Sequence, residues 1–163
     1  MPEPLDAAGT RWYVRFVSNR AGLLDRAAPT SPIVLAAVAI GAPIGAGARW
    51  GVGEVFDAIA SAPAADAWPW PTLIVNIVGA FLIGLAAARF DRKSAAYAFT
   101  ATGALGGFTT YSSFAVDVDH LADADRTGLA AAYAAITIVG GLVALYVALS
   151  LARRRATDPE AQR

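Results

Sequence analysis

Four apolar runs divide the chain, and the polar positions fall almost wholly between them. The first runs from Pro32 to Phe56, the second from Trp70 to Ala88, the third from Ser94 to Val116 and the fourth from Thr127 to Ala152. At about 1.5 Å of helical rise per residue, each is about long enough to cross a hydrocarbon core of about 30 Å. Backbone groups in such a core must bond to one another, so the pattern predicts an all-α membrane protein with four transmembrane helices. Residues 1–31 form a polar N-terminal extension, residues 32–152 the membrane domain and residues 153–163 a basic polar tail. In the extension Trp12, Tyr13, Phe16 and Val17 interleave with Arg11 and Arg15. That pattern suits either a short amphipathic helix on the membrane surface or a disordered tail.

The third run is a poor helix at its centre. The stretch GALGGFTTYSSF, Gly103 to Phe114, brings glycines with high backbone entropy. It also brings Thr109, Thr110, Ser112 and Ser113, which compete for backbone hydrogen bonds. The third helix is therefore expected to be broken in the middle, with carbonyls and hydroxyls turned to a polar path. Tyr111 and Phe114, three apart, should share a face.

Composition agrees with a membrane domain: 56% of the 163 residues are hydrophobic, 16% are charged, and the mean hydropathy is +0.49. With no cysteine there is no thiolate site. One histidine, and no assembly of nucleophile, base and orienting group, argue against an enzyme. The first apolar run begins too late for a signal peptide. Charge adds the orientation. With four spans, Arg11, Arg15, Arg20, Arg26, Arg89, Arg92, Lys93, Arg153, Arg154, Arg155 and Arg163 share one side; Arg49 and Arg126 lie on the other. The Lys/Arg rule then puts both termini in the cytoplasm, with the chain in the cell membrane. No carboxylate lies mid-span, which disfavours proton-coupled antiport.

A few polar and small residues inside the runs carry the candidate chemistry. Gly41 and Gly45, and Gly47 and Gly51, have the four-residue spacing that lets membrane helices approach. Arg49, near the end of the first run, either snorkels to the interface or attracts anions. Asn76 is the strongly polar residue of the second run, and its amide either binds helices together or lines a pore. Tyr133 and Thr137 share a face of the fourth run, for packing or for a polar path.

GGFTTYSSF, WPTLIVNIVGAFLIG and GAPIGAGARW together resemble the CrcB/Fluc family of fluoride channels, over roughly residues 33–152. The resemblance implies an antiparallel dimer of four-helix subunits with two fluoride pores along its interface. It also implies a central structural Na+ held by backbone carbonyls, by position those of Gly106 and Thr109. The pore aromatics match Tyr111 and Phe114, the pore asparagine matches Asn76, the vestibule arginine Arg49 and a polar fourth-helix position Thr137. The chemistry is coherent. Bare fluoride in a low-dielectric medium costs tens of kcal/mol, so amide and hydroxyl donors and positive ring edges must replace its water. The implied role is passive fluoride export that limits fluoride toxicity. Two departures stand out: Tyr111 replaces the usual phenylalanine, adding a hydroxyl that either donates to the ion or blocks it, and the N-terminal extension is long. Competing readings are a small multidrug-resistance-type exporter and a structural assembly protein.

The strong Lys/Arg bias sits poorly with a homodimer that inserts both ways. A heterodimer with an oppositely oriented homologue is favoured over a homodimer. Expressed alone, the chain is expected to insert in one orientation, read by labelling tagged termini from each side of the membrane. Termini divided equally between the two sides, in a conducting homodimer, would overturn that expectation.

Overall fold

The computed structural model describes residues 31–59 and 68–157, with side chains described through Arg154; the N-terminal extension and the end of the tail lie outside them. No strand occurs among the described residues. Helix α1 spans Pro32–Ile59, α2 Trp70–Arg89 and α6 Thr127–Thr157. All three are long and apolar enough to cross a membrane. Between α2 and α6 the third span is built from pieces. A single helical turn, α3 (Ala95–Tyr97), runs into a π-helical stretch (Ala98–Leu105) and a second short turn, α4 (Gly106–Phe108). After the break comes α5 (Tyr111–Asp123).

Local chemistry sets these ends. Pro71 opens α2 in the first turn, where its missing N–H costs nothing. The Ser94 side chain accepts a 3.0 Å bond from the Tyr97 amide and starts the third span. Thr109 and Thr110 are both extended, and the Thr110 hydroxyl then caps α5 by accepting from the Ser113 amide at 3.1 Å. The turn into α6 uses Asp125 at φ 58°, a left-handed residue type that aspartate tolerates.

Three expectations change. The break is confined to Thr109 and Thr110; Gly103, Gly106 and Gly107 are helical, and no described glycine has a positive φ. The glycines serve close approach instead. A Cβ on Gly107 would collide with the Ala42 carbonyl, and one on Gly45 with the Ala104 carbonyl; on Gly41 it would lie 2.5 Å from the Phe99 carbonyl. Gly47 and Gly51 face open space within the chain, so their spacing packs nothing there. Second, the third span does not end with its apolar run at Val116: α5 continues to Asp123, so Asp117 and Asp119 are helical. The helix continues because Phe114, Val118, Leu121 and Ala122 form an apolar stripe on the core of Leu73, Ala130 and Tyr133. Third, α1 continues through Asp57 to Ile59, and α6 carries the arginine run from Arg153 as helix.

The contacts fix direction. Gly41 meets Phe99 and Gly45 meets Ala104 and Phe108, so α1 and the third span run parallel. Gly140 faces Ile77 and Gly84 faces Leu145 and Ala148, so α2 and α6 also run parallel. Leu73 shares a cluster with Leu121 while Asn76 meets Thr110 at the start of α5, so α2 and α5 run opposite ways. Arg89, Arg92, Lys93, Arg153 and Arg154 therefore gather at one end of the bundle. Glu54, Asp57, Asp117, Asp119, Asp123 and Asp125 gather toward the other.

Gly45→Ala is expected to destabilise the domain by about 1–3 kcal/mol, because the methyl must displace backbone. Gly128→Ala, which meets nothing within 4 Å, should change stability by no more than about 0.5 kcal/mol. Thermal unfolding in detergent distinguishes the two; equal effects would refute the packing account.

Candidate functional site

The site is built around the break. In a continuous helix the Thr110 amide would donate to the Gly106 carbonyl, and the Ser113 amide to the Thr109 carbonyl. Neither does. The Thr110 amide donates to Asn76 Oδ1 at 2.8 Å, while Asn76 Nδ2 donates to the Thr110 carbonyl at 2.9 Å. The Ser113 amide donates to Thr110 Oγ1. One side chain on α2 thus satisfies both backbone groups of an extended residue, as a neighbouring strand would. The carbonyls of Gly106 and Thr109 are released from the helical ladder as a result. Between them, the Gly107 carbonyl accepts from Arg49 Nε at 3.3 Å.

Two cavities of about 310 Å³ each adjoin Thr110. One is lined by Asn76, Thr109, Thr110, Tyr111, Phe114 and Thr137. The residues expected to form a pore lie together on it. The other is lined by Arg49, Trp50, Glu54, Asp57, Thr72 and Ser113, among others. Arg49 reaches the third span, with carboxylates at the same cavity.

The donors on the first cavity are few. Asn76 spends one amide N–H on Thr110 and keeps a second. The Thr110 hydroxyl donates to Ser113 Oγ at 3.1 Å, and the Thr137 hydroxyl back-bonds to the Tyr133 carbonyl at 2.8 Å. Thr137, 7% exposed, offers lone pairs and not a proton to that cavity. Ring edges supply the rest. Tyr111 and Phe114 have centroids 6.0 Å apart, and Phe114 lies 5.7 Å from Tyr133. Tyr111 is 81% exposed in the single chain, whereas Phe114 is half-buried against the core.

Sequence reasoning underrated two residues. Tyr133 is fully buried, stacks edge-on with Trp68 at 5.5 Å and donates its hydroxyl to Asp117 Oδ2 at 3.1 Å. The signal was available: Phe114, Asp117 and Leu121 fall on one helical face once α5 is extended. For a cation, no cluster of three or more acidic, histidine or cysteine side chains occurs among the described residues. The oxygens open to a cation at the break are the released carbonyls of Gly106 and Thr109, hard neutral donors of the kind that line ion sites at helix breaks.

A family model described as CrcB-like protein, Camphor Resistance (CrcB), matches residues 36–149. The chain is 41% identical over 122 residues to a fluoride-specific ion channel FluC of Hyphomonas neptunium, covering 72% of this chain and 93% of the relative. To the protein of the same name in Novosphingobium aromaticivorans it is 39% identical over 119 residues, covering 71% and 93%. To the fluoride-specific ion channel FluC 1 of Mycobacterium tuberculosis it is 37% identical over 124 residues, covering 74% and 90%. These relatives are named as ion channels, not enzymes. With its long apolar helices, the chain is a multi-pass membrane protein. The matched segment takes in most of α1, all of α2, the whole broken span and most of α6, and on that ground the chain belongs to the CrcB-like family.

Proposed function

We propose that this chain is a fluoride channel that lets fluoride leave the cytoplasm passively across the cell membrane, reducing its toxicity. The observation that carries the reading is the Asn76–Thr110 pair, which holds open a break lined by Asn76, Tyr111 and Phe114. The relatives named as fluoride channels support it. Fluoride entering this cavity would trade water for the remaining Asn76 N–H and for ring edges of Tyr111 and Phe114. Arg49, at the neighbouring cavity, would offer a passing anion a positive contact beside the carboxylates of Glu54 and Asp57. Tyr111 keeps the positive ring edge of a phenylalanine and adds a hydroxyl at the cavity.

Gly106 and Thr109 would hold a structural Na+ through their carbonyls, shared with a second subunit placed antiparallel. The exposure of Tyr111 and the open groove at the break support a partner there. That partner is a second copy or, favoured by the separation of basic and acidic ends, an oppositely oriented homologue. Both termini of this chain would face the cytoplasm.

Liposomes loaded with fluoride and carrying the purified chain should release it quickly and without regard to chloride, as followed by a fluoride electrode. If this chain alone is silent, the oppositely oriented homologue should restore release; silence of the pair would sink the channel reading. Asn76→Ala strands both Thr110 backbone groups, a loss of about 1–3 kcal/mol, and should slow efflux roughly tenfold or more. Phe114→Ile should also slow efflux while leaving assembly intact; loss of assembly with normal flux per dimer would favour a structural role. Replacing Na+ with K+ should lower both the dimer's thermal midpoint and its efflux, and insensitivity of both would remove Na+ from the account.

A further inference from the structure

The parallel pairing of α2 and α6 leaves a groove at the basic end of the bundle. Its volume is about 470 Å³, and it is lined by Phe81, Leu85, Ala88 and Arg89 of α2 and by Leu151 and Ala152 of α6. Apart from Arg89, its lining side chains are apolar. Arg89 closes the last turn of α2, is exposed, and lies with its guanidinium 5.8 Å from the Phe90 ring. Arg92 and Lys93 follow on the short loop, and Arg153 and Arg154 continue α6 directly from the groove. Among the described residues, this end carries five basic residues (Arg89, Arg92, Lys93, Arg153, Arg154) and one acidic residue, Asp91. None of these groups belongs to the break or its two cavities.

We propose that this groove is a binding site for an anionic phospholipid. One acyl chain lies between Phe81, Leu85 and Leu151, and the phosphate meets Arg89 with the surrounding cations. The apolar half of the site cannot choose among lipids, because a bilayer is already as apolar as leucine. The choice comes from the rim. A guanidinium pairs with a phosphate through two parallel hydrogen bonds, and basic pockets between spanning helices on the cytoplasmic side select anionic headgroups. The geometry commits to a membrane lipid because groove and cations are continuous along α6. A soluble anion would use the cations and leave the groove vacant. A bound lipid would also tie the C-terminal ends of α2 and α6 together where Gly84 and Ala148 already touch.

Native mass spectrometry of the full chain, titrated with phosphatidylglycerol or phosphatidylcholine of matched chain length, tests the proposal. Phosphatidylglycerol should occupy the chain at least fivefold more than phosphatidylcholine. Arg89→Gln should reduce that preference to less than twofold. Ala88→Trp fills the groove and keeps every charge, and it should abolish the adduct; Ala152→Leu fills the same space from the other helix should the first variant misfold. Equal occupancy by both lipids, or a groove-filled variant that folds and still retains phosphatidylglycerol, would overturn the site. So would efficient disulfide trapping between two copies of Leu85→Cys, since the chain has no cysteine of its own and a second copy would then fill the groove.

Discussion

A helix that breaks inside a membrane leaves backbone groups that water cannot reach, and each unsatisfied group costs several kcal/mol on the order-of-magnitude scale. Here the debt falls on Thr110, and Asn76 settles both halves of it with bonds of 2.8 and 2.9 Å. Asparagine suits the task because one planar group carries both an acceptor and donors. Aspartate could not donate and leucine could do neither. The Thr110 hydroxyl then turns to cap α5, and Arg49 reaches the Gly107 carbonyl. Around Thr110, the polar bonds are redistributed so that two carbonyls, Gly106 and Thr109, are freed while the Thr109, Thr110 and Ser113 amides stay paired.

Such an arrangement requires the neighbouring helices to sit very close. Asn76 is a short side chain, so α2 must approach the break; a Cβ on Gly79 would collide with the Thr109 methyl. On the other flank Gly41, Gly45 and Gly107 let α1 and the third span touch backbone to backbone. Packing of this kind relies on dispersion at short range, because lipid tails compete equally well for apolar side chains. The aromatic contacts from Tyr111 through Phe114 and Tyr133 to Trp68 fill the wider space toward the acidic end.

Much of this was legible in the sequence. The four runs, the interruption of the third and the isolation of Asn76 all follow from hydropathy and helix propensity. What propensity could not show was which residues of the interruption break and which pack. Glycines weaken isolated helices, but here they remain helical because neighbouring backbone occupies the space that side chains would fill. The end of the third span was hidden for a related reason. Asp117 and Asp119 read as loop residues by polarity alone, yet the stripe through Phe114, Val118 and Leu121 carries the helix past them. Thr137 showed its position but not its bond: only a helical neighbour fixed in space reveals that its proton goes to the Tyr133 carbonyl.

The Asn76–Thr110 pair also has a direction in time. Asn76 precedes Thr110 by 34 residues. A ribosome therefore delivers α2 to the membrane before the weak stretch emerges, and chains fold in N-to-C order as they are made. The third span never has to cross alone with its middle unpaired: the amide that will hold it open is already in place, on a helix that is complete without it.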